Sequence, residues 1–245
     1  MKYYLIYIVF IFLALTGCEK DKRNYSPYLV ETYTEFLDSL DLHCPEGESE
    51  NYFTGIVKNQ YTCYKDGIDN YRLRFSLVSS FITDSPTLTI GDPNSSSLYL
   101  YKLSFEPLYP ASGKESLNIL FPYFNPNRDI VEYLDSIFSI KYHKIKSDID
   151  GNEFDRSTSK FFIELRMVDY SDKRAKAFPI STMYGNQDDS YIMIKKVEKR
   201  VIFGKINYTL EMNLKCDLYH NPQFGKEGLW GKIEDGKIIV HFSVE

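Results

Sequence analysis

The stretch Tyr71-Arg72-Leu73-Arg74-Phe75-Ser76-Leu77 alternates strictly between large apolar and polar side chains. A period of two places Tyr71, Leu73, Phe75 and Leu77 on one face of an extended segment and Arg72, Arg74 and Ser76 on the other, the pattern of a half-buried β-strand. Phe161, Ile163, Leu165 and Met167 repeat it against Glu164 and Arg166, and SLYLYKLSF over 97–105 is strand-like on both faces. With 21 Tyr and 17 Phe in 245 residues, the chain prefers the pleated backbone on which rings pack. Turn residues separate the runs at Asp66-Gly67, Gly91-Asp92-Pro93, Asp150-Gly151 and Asp235-Gly236. The last, between Leu229–Ile233 and Lys237–Val244, reads as a hairpin.

Two segments change period. Ser26-Pro27 suits a helix start, and Leu29, Tyr33, Phe36, Leu37 and Leu40 predict an amphipathic helix over 27–41. Ile130, Val131, Leu134, Ile137 and Phe138 predict a second, shorter helix within 127–138. The expected architecture is mainly β: an antiparallel β-sandwich or open barrel of about ten strands, with an N-terminal helix and one further short helix. Residues 27–245 read as a single β-rich domain.

The chain begins with Met1-Lys2 and then runs from Tyr3 to Leu15 without a charge. A membrane-crossing helix needs about 20 apolar residues, so this run is short for a span and suits the core of an export signal. It ends in Leu15-Thr16-Gly17-Cys18, which resembles the lipobox of bacterial lipoproteins. That resemblance implies a signal peptide over 1–17, palmitate-type acylation of Cys18, and a membrane held through lipid. The run Glu19-Lys20-Asp21-Lys22-Arg23 belongs to a charged tether over 18–26, and its acidic residues resemble a weak surface-export signal of Bacteroidetes lipoproteins. The implied location is the outer membrane of a Gram-negative bacterium, on the periplasmic face or the cell surface.

A formal net charge of −5 supplies no field that would gather nucleic acid. Besides Cys18 there are three cysteines, and an oxidising compartment permits a bridge. Cys44 with Cys63 would close a loop of about 20 residues and stabilise by about 3 kcal/mol. Cys63 with Cys216 is the other pairing considered, and three buried thiols are the third possibility.

Motifs for phosphate loops, dinucleotides, a nucleophile elbow or zinc are missing, so the sequence indicates no cofactor and no catalytic residue. Asp148, Asp150, Asn152 and Asp155 could converge on a calcium ion, but an EF-hand needs glycine where Glu153 sits and an acid where Ser159 sits. A plain Asp-Gly turn is the preferred reading. Cys216 and His220 lie four apart on an expected strand over 208–219, about 13 Å from each other, which does not suit zinc. His43, His143, His220 and His241 are scattered. Tyr99, Tyr101 and Trp230 are candidate rings for stacking on a sugar or a protein, with Tyr109, Tyr123 and Tyr184 behind them. Filling of strand faces is the plainer account of such rings.

Toward the C-terminus, Tyr184-Gly185-Asn186-Gln187, Tyr191-Ile192-Met193-Ile194, Leu214-Lys215-Cys216-Asp217-Leu218-Tyr219 and Gly231-Lys232-Ile233-Glu234-Asp235-Gly236-Lys237 with Phe242 resemble the closing strands of uncharacterised Bacteroidetes outer-membrane lipoproteins. The resemblance covers about 179–245 together with the lipobox. It implies fold and location, with a last hairpin on the Asp-Gly turn, and lends no activity. The expected role is a lipid-anchored binding or accessory module for a glycan or an envelope protein partner. A structural envelope component and a hydrolase without a local motif are the alternatives.

Overall fold

The computed structural model describes residues 42–82, 96–109, 114–124, 128–145, 160–169, 176–222 and 226–244. The expected helix over 27–41, the lipobox and the stretch 148–155 lie outside them. Eleven strands form one sheet with antiparallel ladders: β1 (Tyr52–Val57), β2 (Gln60–Lys65), β3 (Tyr71–Ile82), β4 (Ser96–Pro107), β5 (Ser116–Phe124), β6 (Tyr142–Lys144), β7 (Phe162–Asp169), β8 (Lys176–Ser181), β9 (Tyr191–Ile202), β10 (Lys205–His220) and β11 (Leu229–Val244). The spatial order is β2-β1-β11-β10-β8-β7-β5-β4-β3, with β9 on β10 and β6 on β9.

The alternation that predicted strands also decides which side is packed. Along β10, Tyr208, Leu210, Met212, Leu214, Cys216 and Leu218 are each at most 1% exposed, while the residues between them face outward. In β7 and the residue before it, Phe161, Ile163 and Leu165 are fully buried, as the sequence led us to expect. The face of β3 departs from expectation at its end, because Leu77 is 47% exposed. Packing there stops at Phe75, whose ring stacks on Tyr101 and on Phe242 of β11, with centroids 5.1 and 4.3 Å away.

Those rings bring the two ends of the sheet together. Tyr71 of β3 meets Tyr64 of β2 at 5.2 Å between centroids, and Phe75 covers Phe242, so β3 returns to β2 and β11 through side chains. Helix α1 (Ile130–Phe138) lies against the same interior. Asp129 caps it, accepting from the amides of Val131 (2.8 Å) and Glu132 (3.0 Å), an arrangement worth about 1 kcal/mol. Tyr133, Leu134, Ile137 and Phe138 point inward, and Phe138 meets Phe121, Tyr208 and Phe242.

Asp235-Gly236 is not a hairpin turn. It lies inside the continuous 16-residue β11, where Gly236 faces Leu214 and Ile233 faces Cys216, so β11 carries one residue more than β10 across the step. Asp235 takes φ +51°, and a Cβ on Gly236 would stand 2.7 Å from the Leu214 carbonyl oxygen. Left-handed backbone next to a close approach is what an Asp-Gly pair serves in a β-bulge as well as in a turn. The tight hairpins lie at Lys58-Asn59 (φ +48° and +65°) and Phe203-Gly204 (φ +51° and +77°) instead. Asp66-Gly67 does lie in a connection, but the strands it joins, β2 and β3, are the two ends of the sheet path.

Candidate functional site

β10 and β11, whose inner faces are core, and β9, which is buried only at Ile192 and Ile194, present a polar outer face. Antiparallel register aligns Arg200, Asn207 and Ser243 in one row across β9, β10 and β11, and Glu198, Thr209 and His241 in the next. With Lys196, Ile202 and Glu50 these side chains line an open groove of about 500 Å³. Ser243 Oγ donates to Asn207 Oδ1 at 2.6 Å, and Thr209 Oγ1 lies 2.8 Å from His241 Nδ1. The His241 amide donates to Asn51 Oδ1 at 2.6 Å, tying the groove wall to the segment before β1. Glu198 pairs with Lys196 (2.6 Å) and Arg200 (2.9 Å), and the hydrogen bond from Lys196 is the main reason its carboxyl titrates below the ordinary range. The set offers two cations, two carboxylates and several hydroxyl and amide groups, a means of holding a polar ligand by charge and hydrogen bonds.

Below the groove, Tyr208 turns inward and its hydroxyl donates to Asp135 Oδ1 of α1 at 2.8 Å, while Lys199 Nζ reaches Asp135 Oδ2 at 2.6 Å. Burial, followed by Asp135, pushes the Tyr208 phenol up. The helix is thus fastened to the strands that build the groove.

β10 serves two neighbours along one edge: β9 pairs with it as far as Lys215, and β8 begins only at Tyr219. Gln187 fills the interval. Its Nε2 donates to the carbonyls of Asp217 (2.7 Å) and Thr182 (3.1 Å), and its Oε1 accepts from the Asp217 amide (3.2 Å). Beside it the Tyr219 hydroxyl donates to the Asn186 carbonyl at 3.0 Å, and the Tyr219 ring lies over Gly185 so closely that a Cβ would sit 2.2 Å from it. The segments Tyr184-Gly185-Asn186-Gln187 and Cys216-Asp217-Leu218-Tyr219 are therefore contact partners.

A second polar group lies where the two ends of the sheet path, β2 and β3, meet. Glu115 is buried; its Oε1 accepts from the Tyr64 hydroxyl (2.9 Å), and its carbonyl accepts from the Tyr71 hydroxyl (3.0 Å). Burial raises its carboxyl above the ordinary range, against the Tyr64 hydrogen bond and the charge of Lys114. Lys114 pairs with Asp69, which His43 Nε2 approaches at 3.5 Å. This network ties β2, β3 and β5 together beside the Cys44–Cys63 disulfide, and its groups are committed to one another.

The expected residues fall as follows. Cys44 and Cys63 are bridged; Cys216 is free and buried on the inner face of β10, so the Cys63–Cys216 pairing does not form. Cys63 sits in β2, which reaches β10 only through β1 and β11. Trp230 is 7% exposed, with Lys58 Nζ 5.0 Å over its ring, and the half-buried Tyr101 packs against Phe75, Phe124 and Tyr133. They are packing residues on separate strands and make no stacking platform together. Tyr99 occupies β4 opposite Phe124, with its side chain, like that of Tyr123, outside the described set. Tyr109 is exposed and Tyr184 half-buried in a short 3-10 turn. His143 is buried, 3.0 Å from the Ile137 carbonyl, and burial lowers its pKa; His220 is buried and His241 lines the groove. Asp148, Asp150, Asn152 and Asp155 lie outside the described residues, among which no group of three or more His, Cys, Asp or Glu is placed to hold a metal.

Sequence reading missed the groove. Its residues occupy the polar positions of alternating strands, and only the register of β9, β10 and β11 makes them neighbours. No family model, no curated protein and no solved structure matches the chain. Among the described residues, no helix is long and apolar enough to cross a membrane.

Proposed function

We propose that this protein is a lipid-anchored binding module of the Gram-negative outer membrane, taking a polar, carboxylate-bearing ligand such as an acidic glycan on the outer face of β9, β10 and β11. The observation that carries the reading is the paired rows Arg200–Asn207–Ser243 and Glu198–Thr209–His241 lining an open groove. Lys196 and Arg200 suit a carboxylate; Asn207, Thr209 and Ser243 suit hydroxyls. The ligand is held from one side, as an open groove requires. Acylation of Cys18 after removal of residues 1–17 would leave the tether over 18–26 to carry the domain. The return of β3 to β2 and β11 through Tyr71 and Phe75 supports an open barrel over a sandwich.

Thermal unfolding of the full chain with oligogalacturonate, and with a neutral oligosaccharide of equal length, tests the binding reading. An increase in midpoint with the acidic oligomer alone, abolished in Arg200→Ala, is expected. Equal midpoints with and without it would remove an acidic glycan from the proposal. Anchoring is tested separately by growth with an alkyne fatty acid: label should enter the wild type and not Cys18→Ala.

A further inference from the structure

The β9–β10 hairpin ends in a tip that folding does not account for. Phe203 is 100% exposed, Val201 70% and Ile202 48%, three consecutive apolar residues presented to water. Phe203 also takes φ +51°, in the left-handed region that glycine or asparagine occupies with less strain. Next to the tip stand three cations, Lys199, Arg200 and Lys205, with Glu198 beside them, on a chain whose formal net charge is −5. Asp135 of α1 and Glu198 each hold neighbouring cations, and the collar stays positive after both are counted.

The hairpin's own ladder fixes the order of these groups. Ile202 pairs with Lys205 and Val201 with Ile206 at the tip, then Arg200 with Asn207 and Lys199 with Tyr208. Three residues of strand from Phe203 back to Arg200 span about 10 Å. An apolar group resting in a bilayer interface lies about 5–10 Å below the headgroups, so a buried Phe203 would leave Arg200 and Lys199 at the level of the phosphates. Lysines along an edge strand also deter pairing with another strand, but that purpose needs no apolar tip. Nucleic acid would suit the cations and leave the aliphatic pair Val201 and Ile202 without a use.

We propose that the tip Val201-Ile202-Phe203 inserts into the interface of an anionic bilayer, with the collar of Lys199, Arg200 and Lys205 on its headgroups. The contact is separate from the lipid at Cys18, and it shares Arg200 and Ile202 with the groove, so a bilayer and a groove ligand would compete for them. It would fix which end of the sheet faces the membrane.

The test places a reporter at position 203, since a chain attached elsewhere would also sediment with vesicles. Phe203→Trp adds one indole to the buried Trp230, whose constant emission is subtracted using the wild type. The full-length variant is reconstituted in phosphatidylcholine vesicles with and without phosphatidylglycerol, each containing a brominated lipid. The expected result is a blue shift and quenching of the added indole with the anionic vesicles, reversed in high salt. Replacing Lys205 by Gln should weaken this insertion roughly fivefold. An unchanged thermal midpoint would confirm that the fully exposed substitutions leave the fold intact. Emission from the added indole that stays water-like with anionic vesicles overturns the proposal. So does a blue shift without lipid that follows protein concentration, which would make the tip a contact between two copies of the chain.

Discussion

The side-chain amide of Gln187 pairs with both backbone groups of Asp217, donating to its carbonyl at 2.7 Å and accepting from its amide at 3.2 Å. A side chain thus stands in for a strand at the point where β10 has left β9 and not yet met β8. Gln187→Ala would leave the Asp217 and Thr182 carbonyls short of a partner, while the Asp217 amide keeps Ser190 Oγ at 3.3 Å. With about 1–3 kcal/mol for a buried polar group left unpaired, a loss of about 3 kcal/mol is expected. Urea unfolding at constant m-value measures it, and a loss below about 0.5 kcal/mol would show that water replaces the amide.

Gly185→Ala should destabilise by about 2 kcal/mol through collision with the ring of Tyr219. Gly185 has extended backbone, φ −172°, so the cost is spatial and not conformational. The pair Gly185→Ala with Tyr219→Ala should therefore lose less than the two single losses added, which a double-mutant cycle reads directly.

Reduction of Cys44–Cys63, separated by 19 residues, should cost about 3 kcal/mol, measured as a lower thermal midpoint in dithiothreitol. Cys216 should resist a thiol reagent until the protein unfolds, because burial pushes its thiol up and the side chain is enclosed. Labelling in Cys18→Ser under native and denaturing conditions checks this, and rapid native labelling would contradict the packing of β10.

Glu115→Gln should gain stability relative to wild type as pH rises from 4 to 7. The folded-state pKa of Glu115 is raised, so as pH climbs from the ordinary carboxyl range the unfolded chain releases its proton before the folded chain does, and wild-type stability declines until the folded carboxyl ionises too. Glutamine does not titrate and escapes the decline. Thermal midpoints of both proteins across that range give the difference, and parallel curves would refute it.

The parts of the fold that were legible in the sequence are those set by one strand alone. Alternation at Phe161, Ile163 and Leu165 identified a strand and its buried side, and the stripe through Leu134, Ile137 and Phe138 identified α1. The parts that were not depend on a partner strand. Asp235-Gly236 has the same left-handed requirement in a turn as in a bulge, and only β10 opposite it decides which forms. Trp230 and Tyr101 could not be told from surface rings until Lys58 and Phe75 were placed beside them. The groove was hidden for the same reason, since Glu198, Thr209 and His241 are 43 residues apart in sequence at the extremes and adjacent only by register.

The pairing of β1 with β11 sets Tyr52 opposite Ile239, near the two ends of the described chain. During synthesis, the hairpin of β1 and β2 has no strand edge to join until β11 emerges. Contacts of such long sequence separation delay folding. The ladder should therefore stay open for as long as the C-terminus is missing, and a truncation before β11 would leave β1 and β2 as a hairpin with no neighbouring strand, joined to β3 and β5 through the side chains around Tyr64.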